Sequence, residues 1–102
     1  MDYEFIDGRL YVRRDAAEKE PLLQRLSRVE GQVRGLRQMI EADRYCLDEV
    51  QQANAITAAV REVVLLIISQ HLTAGIDYAV KSEDQPTAIS DMMGVLRTAM
   101  RQ

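Results

Sequence analysis

Cys46 is the only cysteine of this 102-residue chain and His71 the only histidine. A thiolate and an imidazole together can bind a soft metal ion, and a thiolate can also attack an electrophile. The two residues are separated by 25 positions in a stretch that reads as one unbroken helix. At 1.5 Å of rise per residue, their side chains stand about 37 Å apart within one chain, too far to share anything. Two copies of the helix packed antiparallel about a two-fold axis would set Cys46 of one against His71 of the other, with the axis near Ala58 and Ala59, small residues suited to a close crossing. The residues also admit a plainer reading, in which Cys46 is an inert small hydrophobe and His71 a satisfied or solvated side chain.

The elements that must position these residues follow from periodicity. Glu4 to Val12 form two short alternating runs around Asp7-Gly8, a hairpin signal, and polar residues 13–20 connect this arm to the rest. Pro21 suits a first helical turn and opens a predicted helix that ends near Glu41 or Ala42. Its apolar residues Leu22, Leu26, Val29, Val33, Leu36 and Ile40 follow the alternating 4 and 3 spacing of a coiled-coil seam. Gly31 and Gly35 each cost that helix about 1 kcal/mol against alanine, so a close contact is expected to offset them. Residues 42–45 read as a turn, with Asp43 as the N-cap of a second helix running from about Tyr45 to at least Leu72 and as far as Val80. Val63 to Ile68, VVLLII, is apolar on every side, and such a helix must be surrounded on every side. One partner helix in so short a chain cannot do that, so self-association follows. Gly75 is expected to loosen the second helix near its end. Residues 81–85 form a polar linker, and a short amphipathic helix follows from Pro86, with Ile89, Met92, Met93, Leu96 and Met100 on one face.

Length and a 47% hydrophobic content indicate one globular domain, residues 19–102, preceded by an N-terminal arm, residues 1–18. There is no uninterrupted apolar run of membrane-spanning length and no basic-then-apolar leader, which points to a cytoplasmic protein without a membrane partner. A single cysteine excludes an internal disulfide. The net charge of −3 argues against nucleic-acid binding on average, but the average conceals an asymmetry. Residues 9–37 hold eight basic side chains against four acidic ones, and seven of the eight are arginine, whose guanidinium forks two donors onto a phosphate. Arg25, Arg28, Arg34 and Arg37 fall on the polar surface of the first helix. A solvated charged face is the alternative reading.

The segment LLQRLSRVEGQVRGLRQMIEADRYC, Leu22 to Cys46, followed by His71 at its fixed distance, resembles the copper-sensitive operon repressor family, which includes nickel/cobalt-responsive and formaldehyde-responsive repressors. The likeness spans about residues 20–100. It implies an all-α protein: a three-helix protomer whose long antiparallel helical hairpin forms a dimeric four-helix bundle, and a dimer of dimers assembled partly through the third helix. It implies a transcriptional repressor, not an enzyme, that binds double-stranded operator DNA without a helix-turn-helix and is released by an inducer.

In copper-sensing members the resemblance places Cu(I) between protomers, on residues matching Cys46, His71 and Gly75, with Tyr45 and Asp91 matching positions that surround the metal. Gly75 stands where the family has a second cysteine, so the third ligand is missing and affinity for Cu(I), or for another transition metal, should fall. No substitute is evident, because Met92 and Met93 read as packing residues of the third helix. A Cys-His pair without the second cysteine looks more like the formaldehyde-responsive branch, although the N-terminal amine used there is not obviously placed in this extended chain. Nickel/cobalt-responsive relatives add N-terminal histidines, and persulfide-responsive ones use two cysteines; this chain has neither. For DNA, Arg25 falls on a basic position of the family and Arg61 lies near one. An antitoxin-like helical interaction module is the alternative function, and it leaves Cys46 and His71 unexplained.

Overall fold

The computed structural model describes residues 2–101 as a hairpin and three helices, elongated to 59 × 29 × 18 Å. Strands β1 (Asp2–Ile6) and β2 (Arg9–Arg13) pair antiparallel, with Phe5 opposite Leu10 and Tyr3 opposite Val12. Asp7 and Gly8 join them at φ values of 50° and 76°. Two successive left-handed residues match the twist of the strands, and glycine takes the second at no steric cost. Tyr3, Phe5, Leu10 and Val12 share one face of the ribbon, and that face is the covered one.

Helix α1 (Ala16–Glu41) begins five residues earlier than Pro21 predicts. Asp15 accepts from the Glu18 N–H and Glu18 accepts in return from the Asp15 N–H, a reciprocal cap that satisfies two otherwise orphaned donors. That cap outweighs Pro21, which sits inside the helix and forgoes one backbone hydrogen bond. The helix therefore runs through the boundary drawn at residue 18. Asp43 is likewise not the N-cap of the second helix. It takes φ of 53° in the turn that closes α1, where the Arg44 N–H returns to the Met39 carbonyl. Tyr45 is the N-cap of α2 (Cys46–Lys81), without a side-chain capping bond.

With only four residues between them, α1 and α2 pack antiparallel. Gln52 Nε2 donates to the Gln32 carbonyl at 2.9 Å, and far along the pair Gln70 Nε2 donates to the Glu18 carbonyl at 3.2 Å. Gly35 lets the first contact form, since a Cβ there would stand 3.3 Å from Gln52 Nε2. Helix α3 (Gln85–Met100) folds back on the far end of α2, and Ala74 and Ala88 are almost fully buried where they meet. Gly75 does not loosen α2. The helix continues through it for another six residues, and Gly75 instead admits the Met92 side chain, as described below.

Over 18 residues α2 reaches a mean hydropathy of 1.5, enough by length and composition to cross a membrane. Arg61 and Glu62 fall near the middle of α2 as a whole, and α1, α3 and the hairpin cover parts of its surface. The small core of Leu10, Leu22, Val63, Ala74 and Ala88 leaves much apolar surface open, Leu65 at 62% exposure among it.

The hairpin is latched to α2 by chemistry that titrates. Tyr3 Oη donates to Asp77 Oδ2 at 2.5 Å, and Lys81 reaches the same oxygen at 3.2 Å. Phe5 packs on Tyr78 with ring centroids 4.6 Å apart. The Tyr3 hydroxyl first, and then Lys81, hold the Asp77 carboxyl below its ordinary 3.8. Bonding to Asp77, and then burial, push the Tyr3 phenol from 10.0 up to about 12. A depressed carboxyl contributes stability above its unfolded pKa that is lost as pH falls through the folded value. A raised phenol contributes stability below its unfolded pKa that is lost as pH rises through the folded value. The latch is thus expected to hold between these limits. Tyr3→Phe should move the acid loss up towards pH 3.8, read from the near-ultraviolet circular dichroism of the aromatic cluster. An acid limb unchanged by Tyr3→Phe would show that this bond is not the latch.

Candidate functional site

The residues picked out by their chemistry fall into two groups at opposite ends of α2. Cys46 is its first residue and exposed, and Tyr45 precedes it at 70% exposure. At the other end His71 Nε2 meets Asp91 Oδ2 at 2.6 Å, with only 12% and 10% of the two side chains accessible. Asp91 comes from α3, and its second oxygen, Oδ1, accepts from the Leu10 N–H of the hairpin at 3.3 Å. A carboxylate that accepts at Oδ2 leaves the proton on Nε2 and the lone pair on Nδ1. Metal-binding histidines are commonly oriented in this way, through a carboxylate on the nitrogen that does not bind. Asp91 of α3 therefore reaches the histidine of α2 directly.

The unbroken course of α2 adds a regularity. Cys46, Val50, Ala53, Thr57, Val60, Val64, Ile67 and His71 follow one another at spacings of 4, 3, 4, 3, 4, 3 and 4, so they form one seam along the helix. The seam is symmetric about the point between Ala58 and Ala59. Reversal about that point exchanges Cys46 with His71, Val50 with Ile67, Ala53 with Val64 and Thr57 with Val60. Within a protomer part of the seam lies open, Val60 at 42% exposure. Among the described residues of one protomer, no group of three His, Cys, Asp or Glu side chains could hold a metal ion.

Position 75 lies one turn beyond His71 on α2 and carries no side chain. Its place is taken from α3: a Cβ on Gly75 would stand 2.6 Å from Met92 Sδ and 2.7 Å from Met92 Cγ. Nothing in the sequence signals this approach, because it depends on how α3 crosses α2. His71 also opens onto a cleft of about 1000 Å³ between the hairpin, α2 and α3, walled by Leu10, Val64, Ile68 and Val95.

The arginines do not form one cluster. Helical phase sets Arg25 and Arg28 on one flank of the α1 seam and Arg34 and Arg37 on the other. All four are exposed, as is Arg61 on α2. Arg25 Nη1 donates to the Pro21 carbonyl at 3.3 Å, and Arg37 pairs with Glu41 at 3.4 Å. Such exposed contacts are weak enough to be exchanged for a partner's.

Three helices with this connectivity occur in the copper-sensing repressor CsoR with Cu(I) from Geobacillus thermodenitrificans. The two structures align with a TM-score of 0.82 at 30% identity, over 94% of this chain and all of that one. Residues 18–98 match the family model of the metal-sensitive transcriptional repressors, and the chain belongs to that family. It is 39% identical to the copper-sensing transcriptional repressor CsoR of Bacillus subtilis over 84 residues, 82% of this chain and 83% of the relative. It is 46% identical over 63 residues to the copper-sensing transcriptional repressor RicR of Mycobacterium tuberculosis, 62% of this chain and 66% of the relative. The protein is thus a DNA-binding transcriptional repressor and not an enzyme, and the interaction-module alternative falls away.

Proposed function

We propose that the protein is an operator-binding repressor whose inducer is Cu(I), held between protomers by Cys46 of one and His71 of the other. The observation that supports this most directly is the symmetry of the α2 seam, which brings the two residues together twice when the helix meets a copy of itself antiparallel. Val60, Leu65 and the rest of the open apolar surface supply the driving force for that pairing. The long helical hairpins of two protomers then form a four-helix bundle, and two such dimers associate through α3, whose Ile89 and Met93 are exposed.

The donors suit the metal. Cu(I) is soft and takes thiolate ligands, and an imidazole serves copper as it serves zinc and nickel. Bound by residues of two protomers, a Cu(I) ion would supply a cross-link between them. Cys46 supplies the thiolate, His71 supplies Nδ1, Asp91 holds the imidazole in orientation, and Tyr45 stands beside the thiol. Because Asp91 also accepts from Leu10, a shift of His71 is passed to the hairpin and to α3 together. This gives the inducer a route to the assembly that grips DNA. The protein acts where the DNA is, in the cytoplasm.

Operator DNA followed by fluorescence anisotropy tests the reading, with Cu(I), Zn(II), Ni(II) and formaldehyde titrated in turn. Release by Cu(I) at the lowest concentration is the expected result. Release by formaldehyde alone would make Cys46 a nucleophile and overturn the metal assignment.

The DNA face is assigned to Arg25, Arg28, Arg34, Arg37 and Arg61, repeated in every protomer of the assembly. Repetition builds basic stripes despite the acidic average charge. Arg25→Ala is expected to weaken operator binding several-fold and to reduce the slope of log affinity against log salt by about 1 for each phosphate left unneutralised, since one fewer counterion is then released. An unaltered slope with an intact oligomer would remove Arg25 from the interface.

A further inference from the structure

We infer that Met92 is the third Cu(I) ligand, its thioether replacing the thiolate that position 75 lacks. This rests on the Cu(I) reading above and goes beyond it by completing the donor set from α3.

His71 and position 75 are one helical turn apart, so side chains at the two positions rise from the same face about 5–6 Å from each other. At position 75 there is only hydrogen, and the space a side chain would fill holds Met92, with Sδ 2.6 Å from where a Cβ would lie. A sulfur atom therefore fills the place from which a side chain at position 75 would project, one helical turn along α2 from His71. The backbone immediately before it is fixed: Asp91, the preceding residue, bonds both His71 and the Leu10 N–H. Glycine within a helix costs about 1 kcal/mol, and the Met92 contact explains why that cost is tolerated here. A thioether is a soft, neutral donor suited to Cu(I). With one thiolate the copper centre carries no net charge, whereas two thiolates would leave it at −1, and an uncharged centre is less costly to bury between protomers.

The test uses the full-length protein, anaerobically loaded with Cu(I). In selenomethionine-labelled protein the selenium absorption edge is expected to show a copper neighbour at bonding distance, contributed by one selenium in the five per chain, and Met92→Leu should abolish it. By competition with a Cu(I) chelator, Met92→Leu should bind at least about tenfold more weakly, and Gly75→Cys combined with Met92→Ala should restore tight binding. Wild-type protein that binds Cu(I) in a Cys46-dependent way, with no copper near selenium, would overturn the Met92 assignment and leave the inducer reading standing. Wild-type protein that binds no Cu(I), or binds it equally well as Cys46→Ser, would overturn the reading and this inference with it. The selenium measurement on wild-type protein decides the matter even if Met92→Leu fails to fold.

Discussion

Cys46→Ala and His71→Ala, made separately, are each expected to abolish release of operator DNA by Cu(I) while leaving affinity for the operator within about twofold of wild type. Coupling between an inducer and DNA typically amounts to about 1–3 kcal/mol, or roughly 5–150-fold in affinity, and all of it should vanish with either residue. The two substitutions act as one only if the site spans two protomers, and mixed oligomers test that directly. A heterodimer of the two single variants has both alanines in one site and an intact Cys46–His71 pair in the other. Partial recovery of the response is the expected outcome. A mixture as unresponsive as either parent, with heterodimers verified, would show that the residues do not pair across protomers or that one site per dimer is too few.

Val60→Glu should have the largest effect on assembly. Val60 is 42% exposed in the protomer, so the carboxylate is accommodated in the isolated chain and α2 should keep its helix. In the antiparallel dimer the seam sets residue 60 against Thr57 of the other copy, and the two-fold axis places two such carboxylates close to the centre. An unpaired buried charge costs about 3–5 kcal/mol. The dimer dissociation constant should therefore rise more than about 100-fold, with loss of operator binding. Sedimentation and circular dichroism, measured together, separate dissociation from unfolding. A dimer that persists unchanged would mean that α2 does not meet its copy along this seam.

The helices were legible in the sequence because long amphipathic periodicity survives local detail, whereas their antiparallel hairpin was expected only from the family likeness. The hairpin was legible from Asp7-Gly8. Boundaries were less so: Pro21 is the more conspicuous start signal, yet only the Asp15–Glu18 cap satisfies orphaned backbone donors, and Asp43 closes α1 instead of opening α2. At the site, the Cys46–His71 spacing carried the two-fold argument unaided, and Asp91 was singled out only through a family likeness. What no pattern in the chain announced were contacts made by the crossing of elements: Leu10 on Asp91, Tyr3 on Asp77 and Met92 over Gly75. Each joins residues at least 17 positions apart, and no periodicity within an element encodes such a meeting.

The symmetric seam of α2 has a consequence for how two inducer sites can communicate. In the proposed dimer the two sites lie at opposite ends of the helix pair, separated by about 37 Å. At physiological ionic strength charges are screened over about 8 Å, so one bound ion is electrically invisible to the other. Any cooperativity between them must travel as displacement, carried by two rods that share both sites. A measured Hill coefficient above one would then report the stiffness of α2, and a glycine placed near the axis at Ala58 should lower that coefficient while leaving the affinity of each separate site in place.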